Sequence, residues 1–182
     1  FTHAANKLAL YGPGWILLTG IPYYLGVGNF IATLVSFKLV AIAFYLLTIF
    51  LLKKLSKDLY PVVLFAFNPL VIIEVLVSGH NDIVMVFFLL LSYLLLQKKK
   101  FLLAIFCFIA SVLIKYATLF VLPVFIYLLW KIYKKEGVDW QNIYWWSAIA
   151  MFLIFFPSPL REEMYPWYAV WFLPFIFLLP ER

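Results

Sequence analysis

Cysteine is almost missing from this 182-residue chain: Cys107 is the only one, and it sits inside an apolar run. One thiol excludes both a disulfide framework and a thiolate metal site, so Cys107 reads as a small core residue. Histidine is nearly as scarce, with two in all, and neither an HExxH pattern nor a Cys-rich motif is present. A metal centre is therefore not expected, and neither is a tightly bound cofactor. Charge is sparse too: 12% of residues are Asp, Glu, Lys or Arg. The surplus of 14 basic over 8 acidic residues is not spread over a solvated face, as nucleic-acid binding requires, and no nucleic-acid partner is expected. Phe1 is preceded by no Met, charged n-region or cleavage pattern, and the chain stops at Arg182 straight after an apolar run. It is expected to be an internal piece of a longer protein, with further helices before its N-terminus.

Apolar side chains fill the space left by these absences. They make up 67% of the chain, 21% of residues are aromatic, and the mean hydropathy is +1.05. Soluble domains are usually about half apolar, so the lipid bilayer is the expected solvent and an all-α, polytopic transmembrane helical bundle the expected fold. A crossing needs about 20 apolar residues. Phe30 to Leu52 supplies one and ends at Lys53, Lys54 and Lys57. Tyr60 to Ser78 returns, interrupted by Asn68-Pro69, which removes a backbone donor and bends the helix. Ile83 to Leu96 leads to Lys98–Lys100, Phe101 to about Ala117 leads back, and Thr118 to Trp130 leads to Lys131, Lys134 and Lys135. Ile143 to Phe156 and Trp167 to Leu179 complete the alternation. Under the positive-inside rule every lysine cluster is cytoplasmic. The Ser78–Asp82 turn, the region of Lys115 and Tyr116, and the loop Pro157–Pro166 then share the external side. Tyr11 to Val27 is apolar but broken by Gly12, Pro13, Gly14, Gly20 and Pro22; it either dips in from the external face or crosses as a distorted helix. No internal repeat is evident, and residues 1–182 read as a single transmembrane helical domain.

Ionisable groups at membrane depth cost about 2.5 to 3.5 kcal/mol on insertion scales, so each needs a partner or a task. Glu74, Lys38 and Lys115 are the clearest cases. Glu74 precedes Asp82 by eight residues, about 12 Å along a continuous helix, and can pair with Lys38 or Lys115. Lys115 either snorkels to the interface or binds a phosphate oxygen. Gly79-His80-Asn81-Asp82 is either a turn in which Asn81 or Asp82 caps the next helix, or a proton-transfer pair of His80 and Asp82. Tyr165, Trp167, Tyr168 and Trp171 suit an interfacial aromatic belt, or rings stacked on a sugar face or an isoprenoid chain. Arg161 can hold a phosphate bidentately.

The order of these pieces resembles the multi-pass GT-C glycosyltransferases, in particular the bacterial polyprenyl-phosphate-mannose-dependent mannosyltransferases. The pieces are Tyr11-Gly12-Pro13, Asn68-Pro69-Leu70 leading to Gly79-His80-Asn81-Asp82, Lys115 before Leu122-Pro123, and Tyr165-Pro166-Trp167-Tyr168 with Trp171 and Leu173-Pro174. The resemblance implies a GT-C-like transmembrane region and transfer of a hexose, expected to be mannose, from a polyprenyl-phosphate sugar donor. The receiver would be a hydroxyl of a glycolipid or glycan acceptor on the external face of the plasma membrane. His80 and Asp82 are the candidate catalytic residues, Lys115 and Arg161 the donor-phosphate ligands, and Tyr165, Trp167 and Tyr168 the sugar or lipid contacts. Such enzymes usually carry a carboxylate base in the first external loop, a segment expected to lie before Phe1. The alternative from another class is a multi-pass transporter or channel, which would show paired helix breaks in two similar halves; here the breaks gather toward one face.

Overall fold

The computed structural model describes residues 11–56, 58–154 and 165–179. Among them the chain is an all-α bundle without strands. Its helices are α1 (Pro13–Leu25), α2 (Phe30–Leu55), α3 (Tyr60–Ala66), α4 (Pro69–Val77, closing on a π-helical stretch Ile72–Val77) and α5 (Asp82–Gln97). After α6 (Phe101–Ile114), a 3-10 turn Tyr116–Val121 leads into α7 (Leu122–Tyr133). Then come α8 (Trp140–Leu153), a 3-10 turn Pro166–Tyr168, and α9 (Ala169–Phe177).

Local chemistry sets these boundaries. Asn29 starts α2 by accepting the Ala32 N–H (3.0 Å), and Lys53 and Lys54 close its last turn, where a cation suits the helix dipole. Asn68 accepts from Leu70 N (3.0 Å) and Val71 N (3.3 Å) with Pro69 in the first turn, so α4 restarts 46° off the axis of α3, as the Asn-Pro pair predicts. Asp139 opens α8 in the same way as Asn29 opens α2.

α5 is the central helix, with most of its length buried. Tyr93 lies at the middle of the core, ringed by Phe125, Trp140, Tyr144 and Phe175, and its hydroxyl meets Ser147 Oγ at 2.7 Å. Phe44 of α2 packs on Phe87 and Phe88 of α5, and Ser111 of α6 donates to Met85 O (2.8 Å) while also meeting Thr118 Oγ1 (2.8 Å). Cys107 is buried, as expected of a small core residue. The lysine clusters at the ends of α2, α5 and α7 share one end of the bundle. The start of α5, the end of α6 and the start of α9 share the other.

Among the described residues, two stretches are long and apolar enough to cross a membrane, Phe30–Leu55 and Tyr116–Tyr133, and the bent pair α3–α4 makes a third if it counts as one span. The crossings expected over Ile83–Leu96 and Phe101–Ala117 form helices of 16 and 14 residues, and those over Ile143–Phe156 and Trp167–Leu179 lie on helices of 14 and 9, all short of the ~20 a lone crossing needs. α6 stops short of the expected Ala117 because the chain leaves the helix at Lys115. α1, at 13 residues, is likewise too short for a full crossing and leans on α2 and α6. Its docking depends on Gly12, whose N–H donates to Ile114 O at 3.2 Å and where any Cβ would stand 2.1 Å from Leu113 O.

Candidate functional site

The end opposite the lysines gathers its polar side chains because three helices break there. The first break is α4. Its last turns are π-helical, with Ser78 N–H donating to Ile73 O (2.8 Å), and Gly79 then takes a left-handed φ of +78° that a side chain would strain. The chain folds back so that His80 N–H donates to Glu74 O at 3.0 Å. The second break is at Lys115, which leaves α6 in an extended conformation (φ −152°, ψ 124°) before the 3-10 turn begins. The third is the Tyr165–Tyr168 entry into α9.

These breaks assemble two neighbouring clusters. In the first, Asp82 is 1% exposed and its Oδ1 accepts from Lys115 Nζ (2.7 Å) and from Trp171 Nε1. The ammonium also lies over the rings of Trp171 (4.8 Å) and Tyr168 (5.5 Å), a cation–π arrangement that offsets part of its desolvation. In the second, His80 Nε2 meets Glu74 Oε2 at 3.3 Å, and the imidazole stacks on Trp167 (centroids 4.2 Å apart, 24° between planes). Tyr165 stacks on Trp167 at the same spacing and 8°, so the indole lies between two rings. Tyr168, edge-on to Trp167 (6.0 Å) and against Trp171 (4.3 Å), joins the clusters into one aromatic wall.

Five of the candidate residues, His80, Asp82, Lys115, Trp167 and Tyr168, thus converge, and Tyr165 closes the stack; Arg161 lies outside the described residues. Three expectations are corrected. Glu74 pairs with neither Lys38 nor Lys115, because the chain reversal at Gly79 delivers His80 to it instead. Lys38 donates to Val77 O (2.7 Å), satisfying a carbonyl at the end of the π-helical stretch. Asn81 precedes α5 but its side chain makes no cap: the residue is 6% exposed and its Nδ2 has no hydrogen-bond partner. Asp82 turns its carboxylate to Lys115 and Trp171 and not to the helix amides. Two partners within these clusters were read differently from the sequence. Trp171 figured as a belt or stacking residue and not as a donor to Asp82, although its three-residue spacing from Tyr168 puts both rings on one helical face. Glu74 figured only as a structural ion. Among the described residues, no three His, Cys, Asp or Glu side chains are grouped so as to hold a metal ion.

Residues 5–131 match the family described as alpha-(1->6)-mannopyranosyltransferase, N-terminal domain. The chain belongs to that family. No curated protein and no solved structure matches it. The alpha-(1->6)-mannopyranosyltransferase match covers α1 through most of α7, and so includes Glu74, His80, Asp82 and Lys115. Membership brings with it glycosyltransferase activity of the mannosyl type, hence a sugar donor and an acceptor, in a protein whose apolar helices belong in a bilayer. The transporter alternative finds no support in it.

Proposed function

We propose that this site binds the phosphate of a polyprenyl-phosphate-mannose donor and transfers the sugar to a hydroxyl of a glycolipid or glycan acceptor, at the external face of a multi-pass, GT-C-like enzyme of the plasma membrane, of which residues 1–182 form one transmembrane domain. The observation that carries this reading is Lys115. An ammonium has three donors, and Asp82 occupies one. Its side chain is 16% exposed, held by Asp82 and the aromatic wall at the end of the bundle away from the lysine clusters. An isolated cation fixed there suits a departing lipid phosphate, which needs its charge neutralised more than it needs a proton. The external placement follows from the positive-inside rule applied to Lys53, Lys54 and Lys98–Lys100. Arg161 is a second phosphate ligand in this scheme. The sugar or its isoprenoid chain runs along the Tyr165–Trp167–Tyr168 wall, touching Trp167 at its edge because both faces are occupied.

The test is mannose transfer from radiolabelled polyprenyl-phosphate-mannose by membranes carrying the full-length protein, with Lys115→Ala combined with Asp82→Asn so that no buried charge is left unpaired. Removing one pre-organised donor to the developing charge is expected to lower transfer by about 10²–10³-fold at unchanged protein level. Unchanged transfer in the variant, or no transfer by the wild type from any polyprenyl-phosphate sugar, overturns the reading.

A further inference from the structure

We infer that Ser111 and Thr118 are positioning residues for Lys115: their paired hydroxyls fix the helix break from which the ammonium projects. This rests on the transfer reading above. Lys115 stands in an extended conformation between α6 and the 3-10 turn, where no helical ladder sets its direction. Its N–H donates to Ser111 O (3.1 Å), and its C=O accepts from Thr118 N–H at a longer 3.3 Å. A flexible four-carbon stem rooted in so lightly held a break swings its head with every shift of the backbone, whereas a phosphate ligand has to be held in one place.

The hydroxyls supply what the backbone bonds lack. Ser111 and Thr118 are both fully buried, and they meet at 2.8 Å across the seven positions that separate them, with Lys115 between. A hydroxyl has one hydrogen, and that of Ser111 goes to Met85 O (2.8 Å), so Thr118 is the donor in the pair. The chain of bonds therefore runs from Thr118 to Ser111 to α5. Met85 lies three residues after Asp82, about one helical turn. Both ends of Lys115 are thus referred to one rigid helix: the ammonium through Asp82 at 2.7 Å, and the root of the side chain through Met85.

Stability alone is a weak reason for this arrangement, because a hydroxyl contact between membrane helices contributes little and an apolar side chain of the same size fills the same space. Its effect is geometric. Charge develops on the departing phosphate as the sugar leaves, and a donor already in place stabilises it without reorganising.

The test is mannose transfer from radiolabelled polyprenyl-phosphate-mannose by full-length protein in membranes. Thr118→Val, Thr118→Ser and Ser111→Ala are each made in the wild type and in the Lys115→Ala/Asp82→Asn background. In the wild type, Thr118→Val and Ser111→Ala are expected to lower transfer at least about 10-fold, while Thr118→Ser, which keeps the hydroxyl, stays within about 3-fold. Thermal unfolding midpoints are expected to stay within about 4 °C of wild type. In the Lys115→Ala/Asp82→Asn background the same substitutions are expected to change transfer by less than about 2-fold, since no ammonium is left to position. Equal losses in the two backgrounds, or a larger fall in the midpoint, would show a general packing defect and overturn the inference. Wild-type rates in Thr118→Val, or a loss in Thr118→Ser as deep as in Thr118→Val, overturn it too. Absence of wild-type transfer overturns the transfer reading itself, and the positioning role falls with it.

Discussion

Neutralising one partner of the Asp82–Lys115 pair leaves the other charge stranded at a site nearly closed to water. At 2.7 Å and an effective dielectric of about 20, the mutual attraction is roughly 6 kcal/mol, and desolvation of both ions offsets much of it. The net value of the pair is therefore small, whereas breaking it costs about 3–5 kcal/mol because the survivor keeps its desolvation penalty. Asp82→Asn and Lys115→Met are each expected to destabilise the fold by that amount, and the double variant to recover most of the loss. The coupling, the two single losses less the small residual loss of the double variant, is then at least about 5 kcal/mol, far above the ~0.5 kcal/mol scatter of independent sites. Reversible unfolding in mixed detergent micelles measures it, with the fluorescence of Trp171, itself a donor to Asp82, as a local probe. Additivity of the two single losses within about 0.5 kcal/mol refutes the pair as a coupled unit.

Two further outcomes follow from the same geometry. Asn81→Leu removes an amide whose Nδ2 is buried without a partner among the described residues, so the variant is expected to gain about 1 kcal/mol in thermal unfolding; lower stability refutes this. Gly12→Ala places a Cβ 2.1 Å from Leu113 O, so overpacking is expected to cost about 1–3 kcal/mol and to loosen α1 from α6, read as faster proteolysis near residues 11–29; an unchanged digest refutes it.

Much of this architecture was legible from local chemistry. The lysine clusters fixed which helix ends lie together, and Asn68-Pro69 announced the bend between α3 and α4. The candidate residues His80, Asp82 and Lys115 stood out because ionisable groups among apolar runs need a reason to be there. What stayed hidden depends on a change of helical period. Counting 3.6 residues per turn from Glu74 places His80 on another face, and only the π-helical stretch with the reversal at Gly79 brings them into contact. Asn81 read as a cap because its residue type prefers one, but Asp82 turned to partners 33 and 89 residues away, which no local pattern reports. The length of α6 was overestimated for a related reason: hydropathy runs straight through Lys115, where the backbone leaves the helix.

The shortness of α6 has a consequence for the membrane around it. Its 14 residues rise about 21 Å, against about 39 Å for the 26 residues of α2 and about 30 Å for a typical hydrocarbon core. Leu102, Phe106 and Ile109 are exposed along it, an apolar wall of that short height. If this wall faces lipid, hydrophobic mismatch would draw the leaflet in beside α6 and leave the bilayer thinner there than beside α2. A lipid headgroup approaching Lys115 from that flank would then descend with its own leaflet and reach a recessed ammonium without leaving the interface.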